Sequence, residues 1–267
     1  MDKSILLLLN HLFVMKKTTV FLLFITALVA LMASCIFGVK RNVVNVVSLS
    51  SKGFDDAPSL NVTLDEFSAI VSNVPLAVDY FCSQECGVVI LGDTSKMECL
   101  KAKVKNGTLY LDMEPGVYKD LWLKVQVHAP CLSSVQQNGS GMISCDSIVD
   151  RDSRFEVVAN GSGDITFQGI DCKDVGMKIN GSGGINANKV MANAAKLYIN
   201  GSGSIRLPDF QVEGDLSANI NGSGNMQLDG TAQKVKARVN GSGSITGNMK
   251  HQGLESYKTG SGTIDLK

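Results

Sequence analysis

The sequence Asn-Gly-Ser-Gly stands at 138–141, 160–163, 180–183, 200–203, 221–224 and 240–243, and Thr-Gly-Ser-Gly follows at 259–262. Steps of 22, 20, 20, 21, 19 and 19 residues separate the seven copies. A motif at near-constant period marks a repeat architecture, in which each unit buries its apolar side against its neighbours. Five residues after each first position come Ile143, Ile165, Ile185, Ile205, Met226, Ile245 and Ile264, all large aliphatics. Seven after come Cys145, Phe167, Ala187, Leu207, Leu228, Gly247 and Leu266; one before stand Gln137, Ala159, Ile179, Ile199, Ile220, Val239 and Lys258. Apolar positions therefore alternate on both sides of the motif, the period of a strand with one buried face. Polar Gln137, Ser256 and Lys258 fall in the outermost copies, as expected of capping repeats.

Two geometries compete for the motif. Asn-Gly is a strong hairpin signal, and glycine supplies the positive φ that a tight bend needs. A bend at the corner of a coil serves as well, and there identical residues would stack from turn to turn. Identity kept at every step favours the coil: a β-solenoid with about 20 residues per rung, each rung holding two or three short strands. Asn138, Asn160, Asn180, Asn200, Asn221 and Asn240 are then a structural turn ladder, with ladder spacing of about 4.8 Å. A looser apolar column, Ile170, Val190, Phe210 and Met249, fits a further strand per coil. Aromatics are only 6% of the chain, so the core is aliphatic.

Residues 57–130 lack the motif but carry strand-like runs at 67–71, 76–81, 88–91, 100–104, 108–113 and 121–127. Asn106-Gly107 fits a hairpin between the fourth and fifth. No segment has convincing helical amphipathicity. The region reads as irregular early rungs of the same all-β solenoid, with 131–267 as its seven-repeat part.

The chain opens differently. Met15-Lys-Lys-Thr-Thr precedes an apolar segment from Val20 to Met32, the layout of a secretory signal, and translation is read as starting at Met15. The apolar run is shorter than the ~20 residues that span a bilayer. Leu31-Met32-Ala33-Ser34-Cys35 resembles a bacterial lipobox, which implies cleavage after residue 34 and a lipid on Cys35. Residues 1–34 are thus a signal peptide, 35–56 the lipidated cysteine and a tether, and 57–267 the fold. The expected location is the cell envelope, anchored to the outer membrane, either periplasm-facing or surface-exposed. Cys82, Cys86, Cys99, Cys131, Cys145 and Cys172 remain, an even count that points to disulfides in an oxidising compartment, with about fifteen full pairings open.

Phe67-Ser-Ala-Ile70, the stretch from Ile90-Leu-Gly-Asp93 to Lys105-Asn-Gly-Thr-Leu109, and the Gly-Ser-Gly repeats together resemble the auto-transporter adhesin head GIN domain family. Its Gly-Ile-Asn stands here as Gly184-Ile185-Asn186. The resemblance covers about residues 57–267 and implies an all-β solenoid, a lipid-anchored envelope location and no catalysis.

With 25 basic and 25 acidic residues the chain has no net charge, which argues against a nucleic-acid partner. Three histidines give no basis for a His-rich metal site, and no cofactor is called for. Three functions stand side by side. The first is a non-enzymatic adhesin-like module for an extended glycan or protein ligand. The second is a structural or assembly protein of the envelope, forming a homo-oligomer through the solenoid ends. The third is a polysaccharide-acting β-helix enzyme. Asp164, Asp171 and Asp174 could supply paired carboxylates or bind calcium, but none recurs in register. His128 and His251 have no nucleophile motif beside them. Trp122 reads as core, and Tyr198, between Leu197 and Ile199, as outward-facing.

Overall fold

The computed structural model describes residues 44–267; the expected signal peptide, Cys35 and the first part of the expected tether lie outside them. Every strand pairing between successive Gly-Ser-Gly repeats is parallel, which settles the coil over the hairpin. Each coil contributes to three parallel sheets. The residues before the motif form the first sheet, those after it the second, and a shorter segment such as Val190–Ala192 the third.

The aliphatic columns predicted above are the core. Ile143, Ile165, Ile185, Ile205, Met226, Ile245 and Ile264 stand in direct register, all but Ile264 fully buried. In the third sheet Ile170, Val190, Phe210, Gly230 and Met249 form one column. Coil lengths vary without disturbing the register. The 22-residue step places its two extra residues at the bend around Asp152, and the 21-residue step places its extra residue near Glu213.

The motif's chemistry explains its spelling. The carbonyl of Gly181 accepts from two amides of the next coil, Ser202 N at 2.9 Å and Gly203 N at 3.1 Å. The same pattern recurs at Gly139, Gly161, Gly201 and Gly222. To aim that carbonyl along the axis, the first glycine takes a positive φ, +131° at Gly201. A Cβ on Gly201 would overlap the oxygen of Gly181, and one on Gly203 that of Gly183. Glycine is needed both for the dihedral and for the space its neighbour's carbonyl fills.

The asparagines form the predicted ladder. Nδ2 of Asn160 donates to Oδ1 of Asn138 (2.9 Å), Asn180 to Asn160 (2.8 Å), Asn200 to Asn180 (3.0 Å) and Asn221 to Asn200 (3.1 Å). Asn240 keeps the register between Asn221 and Thr259. The ladder continues where the motif is absent: Asn138 donates to Asn73 (2.6 Å), and Asn73 to the Asp112 carboxylate (2.7 Å). Asn73-Val-Pro-Leu76 is therefore a glycine-free version of the same corner.

The six strand runs anticipated in the N-terminal half are all present, at Ala69–Ser72, Ala77–Cys82, Gly87–Gly92, Leu100–Lys105, Thr108–Met113 and Leu123–Ala129. They stack out of chain order. Ala69–Cys82 forms a coil between the one built from Thr108–Ala129 and the first Gly-Ser-Gly coil. Beyond the outermost coil the strands turn antiparallel. Leu100–Lys105 pairs with Thr108–Met113 across the expected Asn106-Gly107 hairpin, whose two residues have φ of 52° and 71°. Gly87–Gly92 pairs with Leu123–Ala129 and is itself covered by Ser59–Thr63. This end is thus closed by antiparallel strands, while at the other end Met249–Thr259 carries only one neighbour along its length among the described residues. A single helical turn, Thr94–Met97, is N-capped by Asp93.

Three expectations need correction. Gln137 does not cap an end: the coil at residues 69–82 covers it, and it is fully buried in register with Ser72. Its Oε1 and the Ser72 Oγ lack hydrogen-bond partners, while its Nε2 reaches the Val74 carbonyl at 3.3 Å. The tether does not extend to residue 56: Val44–Val46 pairs in parallel with Gly116–Tyr118. Just beyond, Phe54 stacks on Trp122, whose Nε1 donates to the Gly53 carbonyl. Trp122 is a clamp for this incoming segment rather than core.

Two measurements check this account. Ile205→Asp places an unpaired charge in the aliphatic column and should cost several kcal/mol, whereas Ile205→Val should cost about 1 kcal/mol; urea unfolding separates them. Gly201→Ala should cost at least about 2 kcal/mol in the same assay, because dihedral strain and steric overlap add.

Candidate functional site

The structure disperses the residues that an enzyme reading would need together. Asp164 lies on the second sheet and its Oδ1 accepts from the Gly184 amide at 2.7 Å. Asp171 lies on the third sheet, paired with Arg151 Nη2 at 2.5 Å. Asp174 opens the first sheet, in register with Arg154 and Ala194. His128 stacks against Phe81, ring centres 5.4 Å apart. Among the described residues no group of three acidic, histidine or cysteine side chains is placed to hold a metal ion.

The six cysteines carry free thiols, so the disulfides expected from their even number are not formed in this structure. Cys82 is exposed and its Sγ donates to the Pro130 carbonyl at 3.1 Å. Cys131 lies against the Val149 carbonyl, and its thiol is pushed up by burial and by the Asp150 carboxylate. Burial pushes Cys172 up to about 11 and Cys145 higher still. Buried cysteines held in the thiol form pack as small apolar side chains. Cys145 indeed occupies an aliphatic column, opposite Phe167.

Asn160, Asn180, Asn200 and Asn221 each donate an amide hydrogen to the preceding ladder asparagine and Asn138 donates to Asn73, so these side chains are engaged within the corner.

The outer surface of the first sheet carries the exposed aromatic side chains Tyr198 and Tyr257. Strands of a parallel sheet lie about 4.8 Å apart, so outward side chains form columns as regular as the buried ones. One reads Val158, Lys178, Tyr198, Asn219, Arg238 and Tyr257. Beside it runs Glu156, Gly176, Lys196, Ser217, Lys236 and Glu255. Tyr198 faces outward as anticipated, 38% exposed, and Tyr257 is 52% exposed. The Arg238 guanidinium lies over the Tyr257 ring at 5.1 Å and the Lys236 ammonium at 6.0 Å. A groove of about 750 Å³ adjoins the columns, passing Lys196, Ser217 and Lys236 and ending at half-exposed Leu254. Sequence reasoning noted Tyr198 alone. The other members are polar or lie in the irregular last coil, and their alignment appears only once outward positions are counted from the motif.

Comparison with known proteins agrees with the architecture. The model of the family described as "putative auto-transporter adhesin, head GIN domain" matches residues 66–248 and 177–267. A crystal structure of a putative adhesin from Bacteroides fragilis NCTC 9343 superposes with a TM-score of 0.73 at 21% identity, over 80% of this chain and 98% of that one. One of a putative adhesin from Parabacteroides merdae ATCC 43184 gives 0.59 at 19% identity, over 84% and 100%. One of a putative lipid binding protein from Parabacteroides distasonis ATCC 8503 gives 0.66 at 16% identity, also over 84% and 100%. None of the curated proteins compared with the chain matches it. At these identities the solved structures speak for the fold, and the family match covers most of the sequence: the chain belongs to the head GIN domain family.

Proposed function

We propose that the protein is a non-enzymatic, lipid-anchored module of the cell envelope that binds an extended ligand along the outer face of its first sheet. The observation that carries this reading is the pair of exposed tyrosines set among cations in one straight column, on a scaffold too regular to move them apart. Free aromatic and basic side chains on a rigid surface are the composition of recognition sites. Family membership points the same way, toward adhesin-like binding. Cys35, behind the lipobox-like Leu31-Met-Ala-Ser34, would attach the module to the outer membrane through acyl chains.

A second reading rests on a different observation. The last coil leaves the Met249–Thr259 edge open, with Leu254, Ser256 and Lys258 where earlier coils carry buried Val235, Ala237 and Val239. Open strand edges pair readily, so an envelope assembly role would run through this end as a homo-oligomer.

Two experiments test these readings. Cys35→Ser should move the protein from the membrane to the soluble fraction; a variant that stays with membranes would rule out the anchor. A screen of the protein against glycans and envelope or matrix proteins should give saturable binding with no turnover. Turnover of a polysaccharide would overturn the non-enzymatic assignment, and concentration-dependent self-association without any ligand would favour the assembly role.

A further inference from the structure

We propose that the outward column Lys178, Tyr198, Asn219, Arg238 and Tyr257 is a binding site for an acidic polysaccharide, a chain of sugars bearing carboxylate or sulfate groups. The inference rests on the binding-module reading and assigns it a place and a chemistry.

The column supplies, in order, a cation, an aromatic ring, an amide, a cation and a second ring. The step between them, one strand spacing of about 4.8 Å, is close to the advance of one sugar along an extended glycan. Tyr198 and Tyr257 stand three strands apart, about 14 Å, so two rings can stack on alternate stretches of the same chain. A tyrosine ring suits the apolar face of a pyranose, and both rings are open to solvent.

Charge selects an anionic ligand. In this column and its neighbour, between Gly176 and Arg238, stand Lys178, Lys196, Lys236 and Arg238 and no carboxylate. Acidic residues border these two columns, with Asp174 and Asp215 in the next outward positions along the strands. Glu156 is paired with Arg154, and Glu255 lies 3.5 Å from Lys236. Lys178 and Lys196 take part in no ion pair among the described residues. The Arg238 guanidinium carbon lies 5.1 Å from the Tyr257 ring centre, and its planar fork suits two-point contact with a carboxylate or sulfate.

The same geometry disfavours other polymers. The strands that carry Lys178, Tyr198, Asn219 and Arg238 are hydrogen-bonded on both sides, so a peptide finds a backbone edge to extend only at the strand of Tyr257. The chain has no net charge, and the cationic zone spans about four strands, too little for the phosphate neutralisation that holds a nucleic acid.

The test is binding of the protein to polygalacturonate, heparin, neutral dextran, polyglutamate and single-stranded DNA, by calorimetry at low and high salt. Saturable binding to one or both acidic polysaccharides is expected, weaker at high salt and absent with dextran. Tyr198→Ala and Tyr257→Ala should each weaken it about five- to tenfold. Lys178→Glu combined with Arg238→Glu should abolish it, while Lys103→Glu in the antiparallel cap leaves it unchanged; circular dichroism confirms that each variant is folded. Equal binding of polyglutamate or DNA, with no effect of the tyrosine variants, would reduce the site to non-specific attraction and overturn the proposal. Binding of another ligand that survives the Lys178/Arg238 double variant would sink the proposal yet leave the binding-module reading standing. No binding in this set and none in the wider screen would remove both.

Discussion

The structure depends on one repeated contact: a glycine carbonyl turned along the solenoid axis, collecting two amides from the coil above. It joins successive corners at a fixed rise and occupies the space where any side chain would begin. Because the corners are locked, the strands on either side leave them in the same register each time. The aliphatic columns and the asparagine ladder follow from that lock. Hydrophobic burial supplies the larger share of the stability, but without the corner contact the buried side chains would have no reason to fall on one line.

The sequence displays this arrangement so openly because the constraint is local and repeated. Asn180-Gly-Ser-Gly183 and its copies fix the corners, and Ile185 or Ile205 identifies the inward face by counting alone. Reading fails where stacking is built from unlike residues. Asn73-Val-Pro-Leu76 contains none of the glycines, yet it continues the ladder, because Asn73 still presents its amide and the coil register is set by Ile70 and Val78 against Val135 and Ile143. Gln137 looked like a cap for the same reason: the coil that buries it comes much earlier in the chain. The docking of Val44–Val46 and the clamp at Trp122 depend on pairing over long separations, which no periodicity announces.

The candidate site was half legible. Alternation placed Tyr198 outside, but its relation to Lys178, Arg238 and Tyr257 is a property of the register. Those four residues look unrelated along the chain, spaced by about twenty or forty positions and drawn from three residue types. A solenoid turns such distant residues into neighbours and, being stiff, keeps them there. Its inner columns vary little because they must fill a common core, whereas its outer columns can change without cost to the fold. That division lets the same architecture carry different surfaces.

The coil at residues 69–82 is threaded between two that are made after it. Its lower neighbour is not available until residue 129 has emerged, and its upper neighbour not until residue 145. A chain that emerges from its N-terminus therefore cannot wind up rung by rung as it arrives. The first stable nucleus must wait for nearly half the polypeptide, and contacts so distant along the chain close slowly. Until then the aliphatic strands have no partner to stack on, so this part of the solenoid closes in a concerted step rather than one rung at a time.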